Sequence, residues 1–364
     1  MIVWVAIGAV ALSFMISALA TQLSKRVAYR LGMLDMPERH KAHAGPMPLL
    51  GGSAIFAAIL GPSLLGVALA RIWAEQGPPA WLQLPEVIKV HIPGAAARAP
   101  VSLGILAAAA FLHVVGLIDD RRNLGAWLKL VAQALAAAFV VVFCDVRVLT
   151  VAGPTISIIV SIIWLVTITN AFNFMDNMDG LAAGVAVICA AAILAASATM
   201  GQFFVSAWLC LILGAVAGFL LYSFPPASSF MGDAGSLVIG FLLGVSSCLT
   251  TYVQPGQTYY FYGVFVPLVV MAVPLYDTVS VVALRLRDRR NPMVGDRRHF
   301  SHRLVRRGMS TRTAVLTIYL CTAGTAIAAS LLPRVDAVGA VLLFAQTGAI
   351  LLIVALLEAG DART

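Results

Sequence analysis

Eleven apolar stretches of roughly twenty residues divide this chain of 364 residues, and each is long enough to cross the hydrocarbon core of a bilayer. They run over 2–23, 49–70, 101–118, 126–143, 155–172, 181–199, 203–223, 235–252, 260–283, 313–332 and 337–357. Lipid offers no partner to an unpaired N–H or C=O, so apolar runs of this length are expected to be helices. The fold class that follows is all-α, a polytopic membrane protein of about 11 transmembrane helices. Composition agrees, because 61% hydrophobic and only 11% charged residues leave little for a soluble domain. A single integral membrane domain over 1–364 is expected. The first stretch lacks a basic leader and a small-residue cleavage pattern, so it reads as a retained helix.

Lys and Arg set the orientation, since short loops on the cytoplasmic side hold their excess. Loops 24–48, 119–125 and 284–312 contain five, two and ten basic residues, whereas the alternate side has Arg71, Lys89, Arg98, Arg147 and Arg334. The N-terminus is therefore expected outside and the C-terminus in the cytoplasm. Cys144, Cys189, Cys210, Cys248 and Cys321 lie in or beside apolar runs without C-x-x-C spacing, which suits small buried hydrophobes and neither a disulfide framework nor structural zinc. The segment 71–99 reads as a connecting loop dipping into the interface at Trp73 and Trp81. No internal repeat is visible.

Acidic residues at span ends are costly placements and point to a site. Asp119 and Asp120 close one span; adjacent carboxylates there suit a shared cation or a general base, and in isolation also a solvated helix boundary. Lys129 and Gln133 follow one turn apart on the next span. Asn170, Asn173, Asp176 and Asp179 recur every three residues, a polar stripe able to hold Mg²⁺ or a ribose, or to form an interhelical seam. Phe230-Met231-Gly232-Asp233 follows a Pro-broken loop; Phe230 can stack on a base, and Asp233 is either a ligand or an N-cap. The P-loop pattern G-x-x-x-x-G-K-[ST] is missing. The basic loop carries His299, His302 and Arg303, donors suited to a diphosphate beyond what the positive-inside rule needs. The first loop, with Lys41 and His43, suits either headgroups or substrate.

Taken together, these five ordered motifs resemble the polyprenyl-phosphate N-acetylhexosamine-1-phosphate transferase family over nearly the whole chain. The basic loop is nearer its GlcNAc-1-phosphate branch, whose pattern is H-x-H-H; here Ser301 stands third, and His40 stands where an Arg is common. The resemblance implies transfer of N-acetylhexosamine-1-phosphate, GlcNAc-1-phosphate being the leading candidate, from a UDP-sugar to undecaprenyl phosphate. UMP would be released and a cell-envelope glycan such as O-antigen lipopolysaccharide begun at the bacterial cytoplasmic (inner) membrane. It implies an active site in loops 24–48, 119–125, 173–180, 224–234 and 284–312. Mg²⁺, with Mn²⁺ as a substitute, would sit on Asp233 and Asn173, and Asp119 or Asp120 would activate the lipid phosphate. Asp179 and Phe230 would meet uridine, with Asp176 beside them. Lys129, His299, His302 and Arg303 would neutralise phosphates or read the sugar, with Lys41 and His43 at the rim. The partners are these two substrates and the bilayer, with no nucleic acid and a homodimer left open.

Two rival readings follow from the same acids. A proton-coupled transporter would need acids near mid-bilayer. An intramembrane aspartyl protease would pair Tyr276-Asp277 with Gly232-Asp233, although here their order is reversed and Phe230 replaces a glycine. Asp277 itself reads as structural, pairing with Arg285.

Overall fold

The computed structural model describes residues 2–36, 45–253, 261–289 and 299–359. Its helices are α1 (Ile2–Leu31), α2 (Gly51–Gln76), α3 (Glu86–Lys89), α4 (Ile92–Ala97), α5 (Ala99–Arg122), α6 (Ala126–Phe143), α7 (Pro154–Met175) and α8 (Leu181–Thr199). They continue as α9 (Phe203–Ser223), α10 (Gly232–Leu249), α11 (Val266–Val270), α12 (Ala272–Arg287), α13 (Phe300–Arg306), α14 (Thr311–Leu331) and α15 (Ala337–Ala359). Ten are long and apolar enough to span a bilayer, and a bent pair makes an eleventh. An antiparallel ribbon of β1 (Leu34–Asp35) and β2 (Met47–Pro48) folds the first loop back onto itself.

Three expectations change. The ninth span is not one rod: the helix bends by 62° about Met271, between Phe261–Val270 and Ala272–Arg287. Pro267 and Pro274 each fall in the first turn of a new helix, where the missing N–H costs nothing, so the prolines favour restarting over continuing. The 71–99 connection is largely helical, with α2 reaching Gln76 before α3 and α4. The basic loop contains a helix, α13.

The packing leaves many large apolar side chains on the outer surface. On α6, Ala132, Ala136 and Ala137 are buried while Trp127, Leu128, Val131, Leu135 and Phe139 are exposed. Exposed apolar surface on this scale is stable against lipid and not against water. The exception is α10, buried without interruption from Ala234 to Ser247 and packed on α7, α5 and α2. A helix that is apolar all round belongs in the core. Its neighbours approach at backbone contact: a Cβ on Gly52 of α2 would lie 2.3 Å from the Gly235 nitrogen, and one on Gly116 of α5 would lie 2.4 Å from the Ala234 Cα.

That contact predicts an asymmetry between two glycines of one helix. Gly52→Ala pushes α2 off α10 and is expected to destabilise by ~1–3 kcal/mol, the usual cost of overpacking. Gly66→Ala, where a Cβ meets nothing within 4 Å, should be neutral or slightly stabilising. Thermal unfolding of both variants in detergent checks this, and equal midpoints would refute the close approach.

Candidate active site

The ends of α5, α6, α7 and α10 meet at one end of the bundle. Helix α5 stops where Asn123 takes the left-handed conformation at φ 49°, and Asp119 secures the corner by accepting the Leu124 N–H at 2.7 Å. Asp120 turns the other way. Its Oδ1 accepts the Asp233 N–H at 2.7 Å and its Oδ2 the Ala234 N–H at 3.2 Å. The first amides of a helix have no partner within it and carry the positive end of its dipole. Met231, at the N-cap position of α10, provides no side-chain cap; Asp120 supplies one from another helix. Gly232 makes room for it, since its φ is +66° and a Cβ there would sit 2.5 Å from an Asp120 oxygen.

Asp233 is therefore not an N-cap. Its Oδ2 accepts from Lys129 Nζ at 2.7 Å and its Oδ1 from Asn173 Nδ2 at 3.0 Å. Lys129 also donates to Asp119 Oδ2 at 3.0 Å, so one ammonium bridges two carboxylates. Asn173 bonds Ser236 Oγ at 2.9 Å as well. Ser236 escaped the sequence reading, although its i+3 spacing from Asp233 puts both on one helix face.

The stripe 170–179 divides because α7 ends at Met175. Asn170 pairs with Gln133 on α6 and bonds the Val166 carbonyl, a seam between helices. Asn173 enters the cluster, and Asp179 Oδ2 accepts the Ala227 N–H at 2.9 Å, tying its turn to the loop before α10. The Asp176 N–H bonds the carbonyls of Phe172 and Asn173, whereas its carboxylate has no hydrogen-bond partner among the described residues. Burial, with the charges of Asp233, Asp120 and Asp179, pushes its carboxyl well above the usual carboxylate range even though part of the side chain reaches the surface. Phe230 is half-buried; its N–H donates to Pro48 O at 2.9 Å and its carbonyl accepts from Gly51 N–H at 3.0 Å, which fastens the first loop beside α10.

Helix α13 docks on the same turn. Ser301 donates to Asn177 Oδ1 at 2.6 Å, and His299 packs edge-on to Phe174. His299 Nδ1 lies 2.8 Å from Asp277 Oδ2, and Asp277 Oδ1 accepts the Phe300 N–H at 3.1 Å. His302 is half-buried on this helix. Arg303 is engaged elsewhere, with Glu358 of α15 at 2.8 Å and Ser280 at 3.0 Å, while Tyr276 donates to the same Glu358. Asp277 and Asp233 thus have separate partners and form no aspartyl pair. Lys41, His43 and the loop segment 290–298 lie outside the described residues.

No three His, Cys, Asp or Glu side chains form a closed metal cage among the described residues. Magnesium does not require one, because it is commonly held by one or two carboxylates together with substrate phosphates and water. Asp233, Asn173 and the nearby Asp119, Asp120 and Asp176 are a hard-ligand set. Among the described residues only Lys129 is bonded to the Asp119–Asp233 pair as a cation. The donor set fits the ion.

Fold and site define an integral membrane protein with a polar, acid-rich centre where its helices end. Residues 102–251 match the family described as Glycosyl transferase family 4. The chain is 33% identical over 330 residues to a decaprenyl-phosphate N-acetylglucosaminephosphotransferase of Mycolicibacterium smegmatis, covering 84% of this chain and 76% of the relative. An enzyme of the same description from Mycobacterium tuberculosis (strain H37Rv) is 33% identical over 84% and 77% of the two chains. An undecaprenyl-phosphate alpha-N-acetylglucosaminyl 1-phosphate transferase of Yersinia pestis is 26% identical over 91% and 83%. The chain belongs to the polyprenyl-phosphate hexosamine-1-phosphate transferase family.

The lysine bridge makes a stability prediction independent of activity. Lys129→Met keeps the aliphatic stem and leaves Asp119 and Asp233 facing each other uncompensated, at a cost of ~2 kcal/mol or more. Adding Asp119→Asn should recover part of that loss, a coupling that a thermodynamic cycle on detergent-solubilised protein measures. Additive effects of the two changes would mean that the bridge is not formed.

Proposed function

We propose that this protein transfers N-acetylglucosamine-1-phosphate from UDP-GlcNAc to undecaprenyl phosphate, releasing UMP, at the cytoplasmic face of a bacterial inner membrane. Transferase activity toward a polyprenyl phosphate is supported by the relatives, which are polyprenyl-phosphate N-acetylglucosamine-1-phosphate transferases. The observation that carries it is the bridge Asp119–Lys129–Asp233, with Asn173 beside it, at the end of a bundle that is apolar on its outer surface. Such a place lets an acceptor whose tail stays in lipid meet a soluble, doubly charged donor.

In the reaction, an oxygen of the lipid phosphate bonds to the sugar-bearing phosphorus as the bond from that phosphorus to the UMP oxygen breaks. Positioning and charge neutralisation supply most catalysis of this kind. Asp119 and Asp120 divide the work. Both oxygens of Asp120 are taken by α10 amides, so it anchors the helix that carries Asp233. Asp119 is turned into the cluster through Lys129 and is the better placed of the two to accept a proton from the lipid phosphate. Lys129 provides a cation for the phosphates once the donor draws it from its carboxylates. Asp233 and Asn173 would hold Mg²⁺, which supplies charge neutralisation on the diphosphate. Asp179 and Phe230 would meet uridine, and His299 and His302 the phosphates, as the family resemblance implies.

Purified protein incubated with undecaprenyl phosphate, Mg²⁺ and a panel of UDP-sugars should release UMP, fastest with UDP-GlcNAc. No UMP with any UDP-N-acetylhexosamine would end the transferase reading.

Asp233→Asn gives a second measurement. It keeps the shape and the contact with Asn173 but exchanges the Lys129 ion pair for a neutral amide, so part of the bridge's stability is expected to be lost without metal while the protein stays folded. Turnover should fall by orders of magnitude, and the stabilisation that Mg²⁺ gives the wild type in a thermal-shift titration should disappear. Near-normal turnover, or an unchanged Mg²⁺ response, would remove Asp233 from the metal site.

A further inference from the structure

Asp277 belongs to none of the motifs in the acid cluster, yet it is fully buried on α12 and both of its oxygens are engaged by one short stretch of α13. An ionised carboxylate only accepts, so the contact from His299 Nδ1 must be a donated N–H. The Phe300 N–H fixes the second oxygen and with it the plane of the carboxylate. No hydrogen bond engages His299 Nε2 among the described residues. The surroundings hold the ring further: Phe174 lies against it edge-on at 6.1 Å, Arg285 stacks on Phe174 at 5.7 Å, and Ser301, two residues on, binds the turn that carries Asp176. Arg303 is drawn to Glu358 at 2.8 Å and to Ser280 at 3.0 Å, away from Asp277.

We propose that Asp277 is a positioning residue for the transfer reaction: it holds His299 with the proton on Nδ1 and leaves Nε2 as the nitrogen that meets a phosphate of the nucleotide donor. This rests on the reading of the protein as a UDP-sugar transferase. A carboxylate behind a histidine sets both tautomer and ring orientation, and losing it costs activity even when geometry survives.

The test is the protonation of His299, read by nitrogen NMR on histidine-labelled protein in detergent with His299→Gln for assignment. In the wild type Nδ1 should carry a proton, and adding UDP should shift Nε2 while leaving Nδ1 in place. In Asp277→Asn the Phe300 N–H retains the amide oxygen, so the amide nitrogen faces the ring and the proton must move to Nε2. That variant should lose about tenfold or more in kcat/KM for the UDP-sugar, and Asp277→Glu should recover part of the loss. A wild-type His299 with bare Nδ1, or an Nε2 indifferent to UDP, overturns the proposal even if Asp277→Asn fails to fold. Wild-type turnover with equal kcat/KM in a folded Asp277→Asn overturns it too, whereas a wild type that releases no UMP from any UDP-sugar sinks the transferase reading instead.

Discussion

The bond from Asp120 to the first amides of α10 is the contact on which the site depends. Helix α10 is the most buried span, and its N-terminus sits where four helix ends meet. Unpaired amides there would be costly, and a negative charge at the positive end of the helix is favourable. Because the cap comes from α5, Asp233 need not fold back on its own helix as an N-terminal aspartate commonly does. Its carboxylate is released toward Lys129 and Asn173. Two neighbouring aspartates on α5 therefore have different partners, one holding the α10 N-terminus and one facing Lys129.

Reaching this arrangement requires backbones closer than ordinary side chains permit. Gly52 on α2 meets Gly235, and Gly116 on α5 meets Ala234, so the first turn of α10 is gripped from both sides by small residues. His113, one turn before Gly116, adds a hydrogen bond from its Nδ1 to the Ala234 carbonyl at 3.0 Å. In lipid, where helices gain little from burying apolar surface against one another, such close packing and interhelical hydrogen bonds are the available sources of specificity. They fix the first turn of α10, and with it Asp233, relative to α2 and α5.

Much of this was legible in the sequence. All eleven apolar stretches correspond to helices or to the bent pair, because length and hydropathy are local properties. Asp119, Lys129, Asn173 and Asp233, each singled out in the sequence, also converge as a group. What the sequence could not provide was the partner of each group. Asp120 and the Asp233 amide are 113 residues apart, and no periodicity links them. The three-residue spacing of Asn170, Asn173, Asp176 and Asp179 suggested one stripe, but α7 ends within it and sends the four to different neighbours. Arg303 looked like a substrate ligand in a basic loop; only the arrival of α15 from the end of the chain reveals Glu358 as its counter-ion.

Ser301 shows how a departure from a family pattern can be read physically. The resemblance leads one to expect histidine at this third position of the basic motif. Ser301 is fully buried and its hydroxyl donates to Asn177, whose amide in turn donates to the Phe174 carbonyl at 2.6 Å. Serine at this position is a short donor in a tight space, joining α13 to the acidic turn. His299 is oriented separately by Asp277, and His302 stays half-buried on the same helix. The loss of one imidazole therefore leaves the other two in place and adds a strut between the acidic turn and the basic helix.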